Sequence, residues 1–271
     1  MRFGTIRVVL AGGGLAVLVS CAISQQQEVE MGAATAAQVT AELPLIRDAA
    51  VVNYITALGN QLAHATDLRD LTWQFTVVDS REVNAFAVPG GWVYLNRGLI
   101  ERATTMSEVA GVLAHEIGHI TRRHSVQQLQ QAQGANAGLV VMCTLTKVCE
   151  SGAGQAAINV GGSALFAKFS RSDEAEADAE AVATTIKAGI SPAGIPAMFR
   201  SLLAARQSNP GALDAFFASH PLEEDRSRST EALIAAYSPS QLQGLAVNTK
   251  AFQTFRQRLL ALPPPPPPKK P

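Results

Sequence analysis

The stretch "VLAHEIGHI" at residues 112–120 sets His115 and His119 four positions apart, with Glu116 beside the first. On a helix, residues i and i+4 stand one above the other, so both imidazoles reach one point in space, as two ligands of a single metal ion must. Glu116 falls about 100° further round the helix. It is near enough to reach a water on that ion without ligating it. Two imidazoles with an open coordination position favour zinc, in the arrangement of an HExxH site. The competing reading is a buried helix that contains two satisfied histidines.

Two histidines do not complete such a site, which needs a third protein ligand and a position for water. His124 lies five residues beyond His119. On a continuing helix it points away from the metal, so it reads as a surface or helix-packing residue. The third ligand is expected from another helix, and "SRSDEAEAD" at 170–178 places Glu174 and Asp178 four apart. Glu174 suits the metal. Asp178, one turn on, suits a hydrogen bond from the outer nitrogen of a ligand histidine, which fixes the tautomer and the ring orientation. Glu176 lies about 200° round the helix from Glu174 and is badly placed to share that work. By spacing alone Asp173 or Glu180 compete for the ligand role, and a run of acids on a helix is ordinarily a solvated face.

The elements that must position these groups follow from periodicity. A helix is predicted over about 107–130, with Ser107 as its N-cap and Val109, Val112, Leu113 and Ile117 on its apolar side. A second precedes it over about 37–65, broken near Pro44, with Ile46, Val51, Ile55, Leu58 and Leu62 at helical spacing and His64 near its exposed end. Between them, Trp73, Phe75 and Val77 alternate with polar residues as in a half-buried strand, and Pro89-Gly90-Gly91 marks the turn of a hairpin whose arms are 84–88 and 92–95. The stretch 131–162 is rich in Gly, Ala, Ser and Gln, and its composition fits either packed helices or a cover over a cleft. Helical character resumes from Ser170 and stops at Gly189 and Pro192, a further helix follows over "PAGIPAMFRSLLAARQ", and a loop then leads to another from about 221.

The chain has 271 residues, 22 basic and 22 acidic, and 47% of it is hydrophobic. That is enough for one domain with a real core. Without a basic tract it has no footprint for nucleic acid. Arg2 and Arg7 precede an apolar run, Val8 to Val19, that is too short to span a membrane comfortably and suits a secretory signal at 1–20. Its end, Leu18-Val19-Ser20-Cys21, resembles the lipobox of bacterial lipoproteins, which implies lipidation of Cys21 and, with Ala22 following, attachment to the outer membrane from the periplasmic side. Residues 21–36 then read as a polar tether, 37–262 as the domain, and the proline-rich 263–271 as an extended tail. Cys143 and Cys149 are free to form a disulfide in an oxidising compartment.

Four segments in order, "NAFAVPGGWVYLNRGLI" at 84–100, "SEVAGVLAHEIGHITRRHS" at 107–125, "SRSDEAEADAEAVA" at 170–183 and "SHPLEEDR" at 219–226, resemble the M48 peptidases. The resemblance implies an α+β fold, a helix-rich gluzincin (zincin-like) core with a small β-sheet beside the HExxH helix. It implies one Zn²⁺ per chain held by His115, His119 and Glu174, with Asp178 behind a ligand histidine and Glu116 as general base. It puts His220 near the active site, as an oxyanion stabiliser or a resting-state ligand, with Arg226 beside it as a substrate-binding residue. It makes Asn84 and the backbone of Ala85, Phe86 and Ala87 an edge to which an extended substrate adds as a strand. The expected function is a zinc-dependent endopeptidase acting on exported or outer-membrane polypeptides in envelope quality control. The alternative is a metal-retaining, non-catalytic chaperone or scaffold lipoprotein.

Overall fold

In the computed structural model, residues 22–66, 69–132, 168–208, 213–221 and 224–267 are described. The signal segment, Cys21, Cys143 and Cys149 lie outside them, as does most of the stretch 131–162. The elements run α1 (Gln25–Glu42), α2 (Ala49–Thr66), β1 (Gln74–Val78), β2 (Ala85–Val88), β3 (Trp92–Asn96), α3 (Arg97–Arg102), α4 (Met106–Thr121), α5 (Arg171–Lys187), α6 (Gly194–Ser208), α7 (Asp214–Ser219), α8 (Glu224–Ala235), α9 (Pro239–Leu242) and α10 (Lys250–Leu260). Residues 124–132 are also helical. No helix among the described residues is long and apolar enough to cross a membrane.

The sheet has the order β1-β3-β2, with β1 parallel and β2 antiparallel to β3. Gly90 and Gly91 make the hairpin turn at φ values of 83° and 115°, a region only glycine enters without strain. Side-chain alternation divides the interior into two layers. Ala85, Ala87, Val93 and Leu95 join the main core with α2 and α4, whereas Phe86, Val88, Tyr94 and Trp92 face α1. The stripe Ile46, Val51, Ile55, Leu58 and Leu62 is buried as its spacing predicts. A helix-rich α+β fold with a small sheet beside the candidate metal helix is thereby realised.

Three boundaries differ from the sequence expectation. The segment expected as a tether is helical: Ser24 caps α1 in a reciprocal box with Gln27, and the helix buries Glu28, Gly32 and Ala36. It docks by close approach as well as through Ala36 and Val39, since a Cβ on Gly32 would stand 1.8 Å from the Pro89 carbonyl oxygen. The cap of α4 is Thr105, whose hydroxyl accepts from the Glu108 N–H while Glu108 reaches back, and not Ser107. The helix also stops at Thr121, earlier than expected, because Arg123 adopts the left-handed conformation (φ 60°) before helical structure resumes at 124.

At the C-terminus, α10 packs Phe252, Phe255 and Leu259 against the core. The buried Arg97 donates to the carbonyls of Leu259, Leu262 and Pro263, so the tail is tied where it leaves the domain. Pro265 to Pro267 then form one wall of a groove of about 850 Å³ with Leu43, Pro44 and Phe86. Residues 263–267, the described part of the tail, carry no regular secondary structure, and 265–267 lie along the surface at this point.

Candidate metal centre

Helix α4 is buried along almost its whole length, with His115 5%, Glu116 0% and His119 1% exposed. Its partners are α2, α5 and α6, and two glycines let them come close. A Cβ on Gly111 would meet Ile195 of α6 at 2.8 Å, and one on Gly118 would stand 3.1 Å from the Ala177 carbonyl oxygen of α5. Ser170 and Asp173 close a capping box that starts α5, so Glu174 and Asp178 project from its first two turns toward α4. Their four-residue spacing puts them on one face.

His115, His119, Glu174 and His220, all buried, present ligand atoms within 4.8 Å of one another. The Nε2 atoms of His115 and His119 are 3.0 Å apart, and Glu174 lies 3.5 Å from the first and 3.4 Å from the second. His220, at the C-cap of α7, reaches Glu174 Oε1 through Nδ1 at 3.0 Å and Glu116 Oε1 through Nε2 at 3.5 Å. Three imidazoles and one carboxylate converging on a point make a donor set that suits one Zn²⁺. Both carboxylate oxygens of Glu116 are buried with no hydrogen-bond partner among the described residues. Such orphaned acceptors fit a group meant to take up a proton from something held at the cluster.

Electrostatics follow from burial and from these contacts. Burial, with the apolar Val112, Met198 and Phe216 nearby, pushes the Glu116 carboxyl up. Burial also acts on Glu174, but hydrogen bonds from His115, His119 and His220 outweigh it and hold the carboxyl well below the usual carboxylate range. At His115, desolvation is overcome by Asp178 and Glu174, which push the imidazole up to about 10. Burial drives His119 well below its ordinary value. Of the two α4 imidazoles, His115 therefore carries the proton when only the protein's own groups are present.

Asp178 Oδ1 lies 2.9 Å from His115 Nδ1, behind the ring, at an angle too oblique for a linear hydrogen bond. Arg226 organises both acids: it donates to Asp178 through Nε and Nη2 at 2.9 and 2.6 Å and contacts Glu174 through Nη1. Its guanidinium also sits over the Phe199 ring. This corrects the expectation of a substrate-facing Arg226, because its donors are already engaged by two buried carboxylates. The acids that competed on spacing are occupied elsewhere. Asp173 caps its own helix and Glu180 pairs with Arg122.

His124 requires a larger correction. The left-handed turn at Arg123 swings it back, so it is 1% exposed and its Nδ1 is 2.9 Å from His119 Nδ1. Extrapolating a continuous helix through Arg122 and Arg123 hid this contact. Phe169, which stacks on His119 at 3.8 Å between centroids, had no signal in the spacing of chemical residues. On the sheet, β2 is an edge strand and α4 packs against it. Ala85 and Ala87 face the main core, while the Phe86 side chain points to the opposite layer and stacks on Tyr94. For Ala85 to Ala87 only backbone groups are thus candidates for pairing with a substrate, whereas the buried Asn84 Oδ1 has no hydrogen-bond partner among the described residues.

Residues 49–234 match Peptidase family M48. The chain is 34% identical over 223 residues to the putative beta-barrel assembly-enhancing protease of Vibrio cholerae serotype O1, covering 80% of this chain and 46% of that protein. It is 31% identical over 214 residues to the beta-barrel assembly-enhancing protease of Escherichia coli K12, covering 75% of this chain and 43% of the relative. It is 29% identical over 174 residues to the metalloprotease LoiP of the same organism, covering 64% and 67%. The chain thus spans under half the length of the first two relatives. With well over half of its residues matched, and with the buried His115-His119-Glu174 cluster in place, the chain belongs to peptidase family M48.

Proposed function

We propose that the chain is a zinc-dependent endopeptidase, and the observation that carries this is the buried ligand cluster with, beside it, the Glu116 carboxylate, which has no hydrogen-bond partner among the described residues. His115, His119 and Glu174 would hold the ion, as rigid helices α4 and α5 present them. A bound Zn²⁺ supplies Lewis acidity toward a carbonyl and lowers the pKa of water it holds. Glu116 would accept a proton at its carboxylate from an attacking water and release it to the leaving nitrogen, and its raised pKa suits a group that must do both. His220, part of the same cluster, would serve either as a further ligand or as a donor to a developing oxyanion. Asp178 and Arg226 keep the ligands oriented.

Extended segments of exported or outer-membrane polypeptides are the proposed substrates, in envelope quality control. The likeness to relatives named for enhancing beta-barrel assembly supports this setting. The lipobox-like Leu18-Val19-Ser20-Cys21 supports a periplasmic enzyme anchored by lipid to the outer membrane. Cleavage of an unfolded polypeptide by the purified protein, with and without a chelator, tests the activity. Glu116→Gln should keep about one zinc per chain and lose at least about 10²-fold in turnover, the low end of what a positioned base contributes. Loss of zinc in that variant would make Glu116 a ligand, and wild-type turnover would rule the mechanism out.

A further inference from the structure

Each ligand imidazole of α4 has a second nitrogen facing away from the cluster, and the two are met differently. Behind His115 stands Asp178. Behind His119 stands another imidazole, His124, with the Nδ1 atoms 2.9 Å apart and both rings buried. Two ring nitrogens at that distance share one proton.

Which ring holds it follows from the metal reading, on which this inference rests. If His119 Nε2 gives its lone pair to the ion, the neutral ring carries its proton on Nδ1, and that proton is donated to His124 Nδ1. A neutral His124 then carries its own proton on Nε2. That nitrogen is buried, has no hydrogen-bond partner among the described residues, and faces two carboxylates of α5, Glu176 Oε2 at 3.6 Å and Asp173 Oδ1 at 4.0 Å. Negative charge is the right environment for an N–H aimed outward. Every proton in the row has one consistent position.

We propose that His124 is a positioning residue for the metal centre: by accepting from His119 Nδ1–H it fixes the tautomer whose Nε2 faces the ion, with the α5 carboxylates orienting His124 in turn. An acceptor at this position holds the ring in place and raises its basicity as a ligand. The turn that aims His124 is itself secured. Arg123, in its left-handed conformation, donates through Nε to Glu28 Oε2 at 2.7 Å and through Nη2 to the Ile23 carbonyl at 2.7 Å, and the Glu28 side chain is fully buried. The helix α1 therefore braces the residue next to His124.

The test compares variants that place an acceptor differently. In Asn, Oδ1 can occupy the position of the imidazole Nδ1; in Gln the polar atoms sit near Nε2, and Leu has none. Zinc affinity is measured by chelator competition on the full chain. The Co²⁺-substituted protein is followed by proton NMR, where a ligand Nδ1–H gives a shifted, exchangeable resonance. His124→Leu and His124→Gln should each lose about 10- to 100-fold in zinc affinity and lose or broaden one such resonance. His124→Asn should retain both close to wild type. Equal losses in Asn and Gln variants would reduce His124 to packing, and unchanged affinity in the Gln variant would overturn the proposal. Wild-type protein that binds no zinc, or a Glu174→Ala variant that still binds it normally, would defeat the metal reading itself and be told apart from a failure at His124. Should the Leu variant not fold, the Asn and Gln pair decides.

Discussion

Arg226 offers a quantitative test of how the centre is held together. Its side chain is 11% exposed and faces Glu174 and Asp178, which are 2% and 5% exposed. Arg226→Met keeps a stem to pack on Phe199 and removes the charge, so two buried carboxylates lose a shared partner. Removing one member of a buried ion pair costs about 3–5 kcal/mol. For a chain of this size each kcal/mol moves the midpoint by about 2–4 °C, so metal-free Arg226→Met should unfold about 6–20 °C below the metal-free wild type. Zinc supplies positive charge next to Glu174 and leaves Asp178 with His115 as its remaining partner, so the zinc-loaded pair should differ by less. Arg226→Lys restores the charge without the two-pronged geometry and should fall between. Thermal unfolding of the three proteins, with chelator and with zinc, gives the comparison. A metal-free Arg226→Met midpoint within about 2 °C of wild type, below the smallest shift worked out above, would refute this account of the clamp; a loss just as large with zinc bound would refute its coupling to the ion.

Further outcomes follow from the same geometry. Because His115 is pushed up to about 10, the metal-free protein holds its proton at neutral pH, and burial keeps Glu116 toward its protonated form. Zinc uptake should therefore release between one and two protons, and affinity should rise with pH until His115 titrates near 10; calorimetry in buffers of different ionisation enthalpy reads the number, and zero would contradict the assignment. Gly32→Ala puts a methyl onto the Pro89 carbonyl, so α1 should shift off the hairpin at a cost of about 1–3 kcal/mol; amide exchange across 25–42 at the wild-type rate would argue against that docking. Cys21→Ser should abolish lipid labelling and release the protein from membranes, and unchanged labelling would remove the lipobox reading.

The HExxH helix and the side chains of the candidate cluster were legible because their spacing is fixed by the helix itself. His115 and His119, and Glu174 and Asp178, each need only a regular turn to face one way. What stayed hidden depends on interruptions and on close contact. A non-glycine residue in the left-handed region, as at Arg123, leaves no mark in composition, and a continuous helix drawn through it sends His124 to the wrong side. Helix α1 buries Glu28, Gly32 and Ala36, a face with too little apolar weight for a hydrophobic period to show. The capping signal Ser24-x-x-Gln27 was the one available clue. By contrast Thr249 with Phe252, Phe255 and Leu259 has ordinary cap and helical spacing, so α10 could have been found by the rules that found α2.

Helix α5 links these pieces, since the carboxylates behind or beside the two α4 imidazoles all lie on it. Glu174 joins the cluster, Asp178 stands behind His115, and Asp173 and Glu176 face His124, which stands behind His119. The residues from outside the pair of helices converge on the same carboxylates: His220 reaches Glu174, and Arg226 reaches Glu174 and Asp178. The distance between α4 and α5 is in turn limited by Gly118, where even a methyl would crowd the Ala177 backbone at 3.1–3.2 Å. Packed helices move as units, so a wider spacing would withdraw a ligand and both supports at once. The geometry at the ion is thus a property of how two helices pack, and a larger side chain at position 118 would weaken the site without altering any residue that touches it.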